Sequence, residues 1–179
     1  MSKNTLEEAM AGISAVWGPL TTELVETSRH HIATLAQASS EEPWLAELLR
    51  DQPERRELYR DPKHGFVLLA HVEKSGLYRP PHDHGRSWVV YAVQSGESEM
   101  GTYARIEDAR GKTRLVRRSQ TLVKPGQAQV YLPGDIHDTL CVAGPMLQFR
   151  FTERDLRHED AVEKKVTRYV QGDGYWTAP

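Results

Sequence analysis

Cysteine is nearly absent from this 179-residue sequence, and other features that define whole classes of protein are missing too. The single cysteine, Cys141, excludes an internal disulfide and a cysteine-rich zinc cluster. No long hydrophobic run occurs, since the apolar stretch near the middle of the chain, residues 88–93, is far too short to span a bilayer. Charge of one sign is not in excess, because 23 lysines and arginines oppose 25 aspartates and glutamates. This balance argues against binding to nucleic acid or to a membrane surface through phosphate contacts.

The overall composition is that of one globular domain. Apolar residues make up 39% of the chain and charged residues 27%, which is typical of a folded rather than a disordered sequence. The length fits a single domain over residues 1–179. The N-terminus has neither an apolar core nor a small-residue cleavage site, so we expect a cytoplasmic protein without a secretory signal.

The first third of the chain has the pattern of helices. Thr5 and Glu8 match a capping box, and apolar residues then recur three and four positions apart. A second helix is predicted over residues 22–37, and a third after Ser40 with Pro43 in its first turn. We therefore predict a helical section over residues 1–60 that packs outside the rest of the domain.

From about residue 66, short apolar or alternating runs replace the helical pattern. Each run is bounded by Gly, Pro, Asp or Ser; the runs are 66–72, 88–94, 99–105, 113–117, 121–124, 129–132 and 146–152. Strands at this spacing predict a mainly β fold, a sandwich or barrel over residues 61–155. No βαβ alternation occurs, which argues against a parallel doubly wound sheet. Residues 156–179 form a C-terminal extension, which is expected to be irregular from Gln171 onward.

Two segments carry histidines in informative positions. His82 and His84 are two residues apart, so in a strand both imidazoles point to the same side. Alone, this spacing could equally be two unrelated polar residues in a loop. The second segment, residues 132–137, is a tight turn that delivers His137 at the start of a strand.

Together these segments resemble the two motifs of the cupin family. The first cupin motif has H-x-H, a glutamate and then a glycine seven positions later; here Gly96 is present, but the glutamate position falls on Val89. The second motif is matched by Gly126, Gly134 and His137, with its proline one place late at Pro133. The resemblance covers residues 60–152. It implies a double-stranded β-helix, or jelly-roll barrel, that holds a metal ion through three ligands, His82, His84 and His137.

The missing glutamate has a chemical consequence. Three neutral imidazoles leave a divalent ion with its full charge and fill only three positions of an octahedron. Such a site favours an anionic, chelating substrate and leaves room for dioxygen. This is the arrangement of non-haem iron oxygenases in a three-histidine variant.

Among such cupins, the sequence resembles the bacterial thiol dioxygenases, which act on cysteine or 3-mercaptopropionate. The resemblance rests on residues 58–61, 81–84 and 88–93. It implies Fe(II)-dependent addition of O₂ to a small anionic thiol, giving a sulfinic acid, and leaves a homodimer open. Nickel or zinc could occupy the histidines in purified protein. Val89 stands where the cysteine branch has the cysteine of a Cys–Tyr crosslink. Gln148, Arg150 and Thr152 stand where the family has Ser-x-His-x-Tyr.

Four residues are candidates for binding the substrate. For three of them, Arg150, Tyr91 and Arg56, the sequence leaves a second interpretation open. Arg150 could grip a carboxylate if it faces inward, or pair with a helix carboxylate if it faces outward. Gln148 shares the face of Arg150. Tyr91 could reach a substrate oxygen or pack in the core. Arg56 matches the upstream carboxylate-binding arginine of the cysteine branch, or is an exposed helix residue. No catalytic residue is assigned.

Other functions stay open at this point. A non-oxidative metal-binding cupin, either an isomerase or a small-molecule sensor, is one alternative. A three-histidine dioxygenase that cleaves a carbon–carbon bond in a β-diketone-like or phenolic substrate is another. Asp135 or Asp138 could orient an imidazole. Cys141 is predicted to be a buried structural thiol.

Overall fold

Three helices begin the chain in the computed structural model, which describes residues 4–172 and 174–179. They are α1 (Thr5–Ala15), α2 (Thr22–Leu35) and α3 (Pro43–Asp51). The capping box of α1 lies one residue earlier than predicted, because Asn4 accepts from the backbone N–H of Glu7 and Glu7 returns the bond. The backbone N–H and hydroxyl of Thr5 instead donate to Glu42 at 3.0 and 2.8 Å, which joins α1 to the start of α3.

Nine strands and a short helix follow, and the mainly β prediction is confirmed. The strands of the main sheet are β1 (Arg56–Arg60), β2 (Val67–Glu73), β3 (Tyr78–His82), β4 (Val89–Glu107), β5 (Thr113–Val123), β6 (Ala128–Tyr131) and β7 (Ile136–Thr152). The last elements are α4 (Leu156–Ala161), β8 (Val170–Gly172) and β9 (Tyr175–Thr177). All strand pairs are antiparallel.

The two longest strands, β4 and β7, organise the barrel. β7 pairs along its whole length with residues 89–103 of β4, with irregular register between Val93 and Ser98. The first half of β4 also pairs with β6 and the second half with β5, while β2 and β3 pair with opposite halves of β7. The sheet therefore folds into two layers. Their facing side chains form one buried cluster that includes Val89 and Tyr91 from one half and Met100 and Cys141 from the other.

Four predicted boundaries are wrong, and one of them is the division between the runs 113–117 and 121–124, which belong to one strand, β5. The helical section ends before residue 60: Gln52 takes a left-handed conformation (φ 44°) and Pro53 follows, so the chain leaves α3 and pairs Arg56–Arg60 with β2. The runs 88–94 and 99–105 belong to one strand, β4, since Gly96 continues it at a φ of 78°. The C-terminal end is not irregular, because β8 and β9 form a hairpin.

Side-chain alternation along β7 separates two environments. Leu147, Phe149 and Phe151 point to the outer face of the sheet, where they are buried against the three N-terminal helices. The alternate residues, Gln148 and Arg150 among them, point into the barrel. The helices thus cover one face of the sheet, as predicted, and the opposite face is left to form a site. None of the helices in the described part of the chain has the length and hydrophobicity needed to cross a membrane.

Gly96→Ala should destabilise the barrel more than Gly76→Ala. Both glycines have positive φ, 78° and 85°, so either alanine costs about 1–2 kcal/mol of backbone strain. A Cβ at Gly76 meets nothing within 4 Å, whereas one at Gly96 would collide with the backbone oxygen of Ala143 on β7. We expect Gly96→Ala to lose about 1–3 kcal/mol more in the free energy of unfolding, measured by denaturant titration. Equal losses of unfolding free energy in the two variants would show that β4 and β7 can move apart at Gly96 without destabilising the barrel.

Candidate metal centre

Three histidines meet at one end of the barrel interior. His82 is the last residue of β3, His84 follows in the next turn, and His137 near the start of β7 pairs with His82 across the sheet. One ring nitrogen of each lies within 4.8 Å of the others. The Nε2 atoms of His84 and His137 are 3.3 Å apart. Two adjacent ligands bound to one ion at about 2.1 Å would be separated by about 3 Å, so this arrangement fits a metal ion.

The protonation state of the three rings also suits a metal. The Nδ1 of His82 lies 2.8 Å from the carbonyl oxygen of Pro80, so it donates there and leaves Nε2 for the ion. Burial lowers the pKa of His82, and it lowers the pKa values of His84 and His137 well below their usual range. The imidazoles are therefore neutral at ordinary pH, which is the form that binds a metal.

No acidic side chain completes the group. In the described ranges, the residues that could hold a metal ion there are the three histidines. Val89, at the position of the cupin glutamate, is fully buried and has no donor atom. Asp83 accepts from the backbone N–H groups of Gly85 at 3.0 Å and Thr167 at 2.8 Å, so its carboxylate braces the loop.

The two other aspartates near the ligands do not orient an imidazole. Asp138 accepts from the hydroxyl groups of Tyr103 and Tyr78 at 2.6 and 2.9 Å. Asp135 accepts from the backbone N–H of Leu132 at 2.7 Å and closes the turn before β7. Both carboxylates are occupied by structural contacts, and the hypothesis that either positions a ligand is wrong.

Two tyrosines stand next to the histidines. The hydroxyl oxygen of Tyr91 lies 3.2 Å from Nε2 of His84. Arg150 on β7 is the cross-strand neighbour of Tyr91. Burial raises the pKa of Tyr91, so its phenol stays protonated. The ring of Tyr131 stacks on His137 with centroids 3.9 Å apart. Sequence reasoning missed Tyr131, although the pairing of its strand with the first half of β4 brings it there.

A cavity of about 640 Å³ opens beside His82 and His84. Gln148 and Arg150 both line it, so Arg150 faces inward and the outward alternative is excluded. Its Nε and the Oε1 of Gln148 are buried and have no hydrogen-bond partner among the described residues. Buried polar groups are normally paired, so these atoms are suited to a bound ligand.

Arg56 does not reach this cavity, which corrects the sequence prediction. Its guanidinium binds Glu47 at 2.9 Å and Asp51 at 3.0 Å on α3, outside the barrel. The preceding residue, Arg55, lines the cavity instead. Neighbouring residues on an extended chain point to opposite sides, so an error of one position moves the side chain from the cavity to the surface.

Sequence reasoning also missed two further lining residues. His71 faces the cavity from β2, and burial lowers its pKa to about 3. Its Nδ1 lies 3.2 Å from the carbonyl oxygen of Glu54, and its buried Nε2 has no partner in the described chain. The period of two along β2 could have placed His71 inside. Arg157, on α4, carries no local signal of this kind.

The C-terminal extension fixes the loop that carries His84. Glu159 of α4, only 1% exposed, accepts from the backbone N–H of Arg86 at 2.8 Å and from its guanidinium at 2.9 Å. The backbone N–H of Tyr169 donates to the carbonyl oxygen of Pro81 at 2.9 Å. The extension is therefore part of the site and not an appendage to the barrel.

Comparison with known proteins finds likeness in structure alone. No protein family model matches the sequence, and no curated protein sequence matches it. Among the solved structures that this chain resembles, one is described as a cupin domain and one as a protein with a double-stranded β-helix domain. KdgF from Halomonas sp. is 17% identical over 56% of this chain and 79% of its own, with a TM-score of 0.43. The cupin domain of Schizosaccharomyces pombe Cnp3 is 10% identical over 60% of this chain and 64% of its own, with a TM-score of 0.43. An uncharacterised Klebsiella pneumoniae protein with a double-stranded β-helix domain is 18% identical over 56% of this chain and 70% of its own, with a TM-score of 0.41.

Replacing a metal-site histidine should remove metal binding and leave the barrel folded. His82→Ala or His137→Ala leaves two imidazoles, too few to hold a divalent ion firmly. We expect wild-type protein loaded anaerobically with Fe(II) to bind one ion per chain and both variants to bind almost none, by metal analysis after desalting. His158→Ala is the matched control, because His158 is exposed and remote from the trio. Full loading of either site variant, with circular dichroism unchanged, would contradict the assignment.

Glu159→Gln should weaken the attachment of the extension. The arginines around this carboxylate, Arg86 first, lower its pKa from 4.5 to about 2. Its stabilising contribution is therefore complete above about pH 4.5 and is lost as the pH falls towards 2. We expect the variant to lose about 1–3 kcal/mol in the free energy of unfolding at neutral pH, with the difference shrinking on acidification.

Glu163→Gln is the matched control for that change. Glu163 also binds Arg86, at 3.2 Å, but its side chain is 38% exposed. An exposed ion pair of this kind contributes at most about 1 kcal/mol. Equal losses in the two variants, or a difference that persists at low pH, would show that the buried carboxylate does not secure the loop.

Proposed function

We propose that this protein is a mononuclear iron(II) dioxygenase of the three-histidine type, which oxidises a small anionic thiol to a sulfinic acid. The observation that carries the proposal is the histidine trio without a carboxylate, next to a cavity lined by arginines. A neutral ligand set leaves the positive charge of the ion to attract an anionic substrate. The open half of its coordination sphere suits binding of both a substrate and dioxygen.

The reaction balances without a further reductant. When bound, the ferrous ion supplies a coordination site for the thiolate and the ability to activate O₂. The O–O bond and the S–H bond break and two S–O bonds form, so that both atoms of one O₂ end on the sulfur of one thiol. The sulfur loses four electrons and the dioxygen gains four. The thiol proton ends on the sulfinic acid or in solvent.

The chain's own residues position the substrate. Arg150 presents a guanidinium whose Nε lacks a protein partner, and this group suits a substrate carboxylate bound through two hydrogen bonds. The hydroxyl oxygen of Tyr91 lies 3.2 Å from Nε2 of His84 and keeps its proton, so it can donate to a substrate oxygen near the reacting atom. Gln148 offers a buried amide beside them. Apolar neighbours in the cavity, Val67 and Leu69, limit access of water.

The size of the cavity favours a second candidate. A volume of about 640 Å³ falls within the roughly 300–1,000 Å³ typical of pockets that hold drug-sized ligands, so a small thiol would leave much of it unfilled. A three-histidine dioxygenase that cleaves a carbon–carbon bond in a larger β-diketone-like or phenolic substrate uses the same ligand set. The test below therefore includes both substrate classes.

Oxygen consumption by the iron-loaded protein tests the proposal. The panel contains 3-mercaptopropionate, cysteine, cysteamine, acetylacetone and a catechol. We expect uptake of one O₂ per thiol with the carboxylate-bearing thiols, and a sulfinic acid product by mass spectrometry. Cysteamine, which lacks the carboxylate that Arg150 would bind, should show kcat/KM lower by about 10–100-fold.

His137→Ala protein treated with the same iron is the control for free iron in solution. Uptake with the diketone or the catechol alone would replace the thiol proposal with the second candidate. No substrate-dependent uptake from a fully iron-loaded protein would mean that the site is a non-oxidative cupin, an isomerase or a sensor.

A further inference from the structure

The arginines of the cavity are not all neutralised. Five line it, and two are paired: Arg79 binds Glu73 at 2.9 Å and Arg168 binds Asp160 at 2.6 Å. The other three, Arg55, Arg150 and Arg157, have no carboxylate within 4 Å among residues 4–172 and 174–179. Three guanidinium groups in one cavity therefore have no direct ion-pair partner among the described residues.

None of the acidic side chains that line the cavity forms an ion pair with these three arginines in the described part of the chain. Asp155 binds Arg60 at 3.0 Å, and Asp83 is committed to backbone N–H groups. Glu54 is exposed at the rim. Burial first, and then the charges of Arg157 and Arg150, lower the pKa of Arg55, while the nearby carboxylates Glu57 and Asp155 oppose this shift; Arg157 and Arg150 thus repel Arg55. A bound anion would remove this repulsion.

These arginines come from two levels of the site. Arg150 projects from the middle of the barrel, beside Tyr91 and the histidines. Arg55 precedes β1 and the exposed Arg157 is on α4, so both come from segments other than the long strands that carry Arg150 and Tyr91. We call the part of the cavity lined by Arg55 and Arg157 its mouth. One carboxylate of a small substrate at Arg150 would leave the two at the mouth without a counter-ion. The volume of the cavity, about 640 Å³, leaves room for a second acidic group.

We propose that the substrate of this cavity carries two anionic groups, one bound by Arg150 beside the metal centre and one bound at the mouth by Arg55 and Arg157. This inference rests on the proposed function only in placing the substrate in this cavity. It narrows the substrate class to dicarboxylates or similar dianions. Because a guanidinium binds a carboxylate through a planar fork, two arginines at the mouth favour a carboxylate over a neutral polar group.

Binding to the metal-free protein tests the inference without iron or oxygen. Calorimetric titration compares the linear dicarboxylates from malonate to adipate with monocarboxylates of the same chain length. We expect the best dicarboxylate to bind about tenfold or more tightly than its monocarboxylate, with a preference that falls as salt rises. Equal affinity across the pairs, or no binding by either class, would overturn the inference.

Variants assign the preference to the mouth. In the double variant Arg55→Gln/Arg157→Gln, binding of the dicarboxylate should fall to that of the monocarboxylate, and binding of the monocarboxylate should stay unchanged. Arg157→Lys keeps the positive charge but not the planar guanidinium, and it should retain part of the preference for dicarboxylates. Arg29→Gln, which removes a charge paired with Glu26 on the remote surface of α2, should retain all of it. A preference that survives in the double variant would overturn the assignment.

The two proposals fail separately. If no substrate of the panel supports oxygen uptake but dicarboxylates are preferred, the dioxygenase proposal is wrong and the dianion site stands. If a thiol with one carboxylate reacts fully while the metal-free protein shows no preference for dianions, the dioxygenase proposal stands and the second anionic group is excluded.

Discussion

The antiparallel pairing of β4 with β7 is the constraint on which the rest of the structure depends. Each strand serves both layers of the barrel, so one register decides which side chains face the helices and which face the cavity. A shift of one residue would exchange Phe149 with Arg150. It would bury a guanidinium against the helices and leave an aromatic ring beside the histidines. The hydrophobic helix interface thus fixes the register that also places the polar site.

The centre of the site was predictable because its information is local. H-x-H spacing in a strand and a tight turn before His137 each place a ring within a few residues of sequence, and the two segments meet through the pairing of His82 with His137. The inward direction of Arg150 depends only on alternation along β7. The sequence determined this alternation, but it could not decide which face would lie inside until the helices were placed on the other.

The edge of the site was less predictable, for physical reasons. Arg55 and Arg56 differ by one position after an irregular turn, and no periodicity exists there to choose between them. Arg157 reaches the cavity from an extension whose helix has six residues and whose position depends on the buried contact of Glu159 with Arg86. The pairing of β1 with β2 is likewise a tertiary contact. In each case the deciding interaction joins segments distant in sequence.

Electrostatics connects the metal centre with the rest of the cavity. Glutamate in a cupin centre lowers the positive charge on the metal, and Val89 cannot do so here. Arg150 adds a guanidinium close to the same histidines, so a divalent ion and this arginine would repel each other. An anionic substrate relieves that repulsion, and binding of the metal and of the anion must then strengthen each other by the same factor. In the proposed function, the substrate supplies the negative charge that the three histidines do not provide.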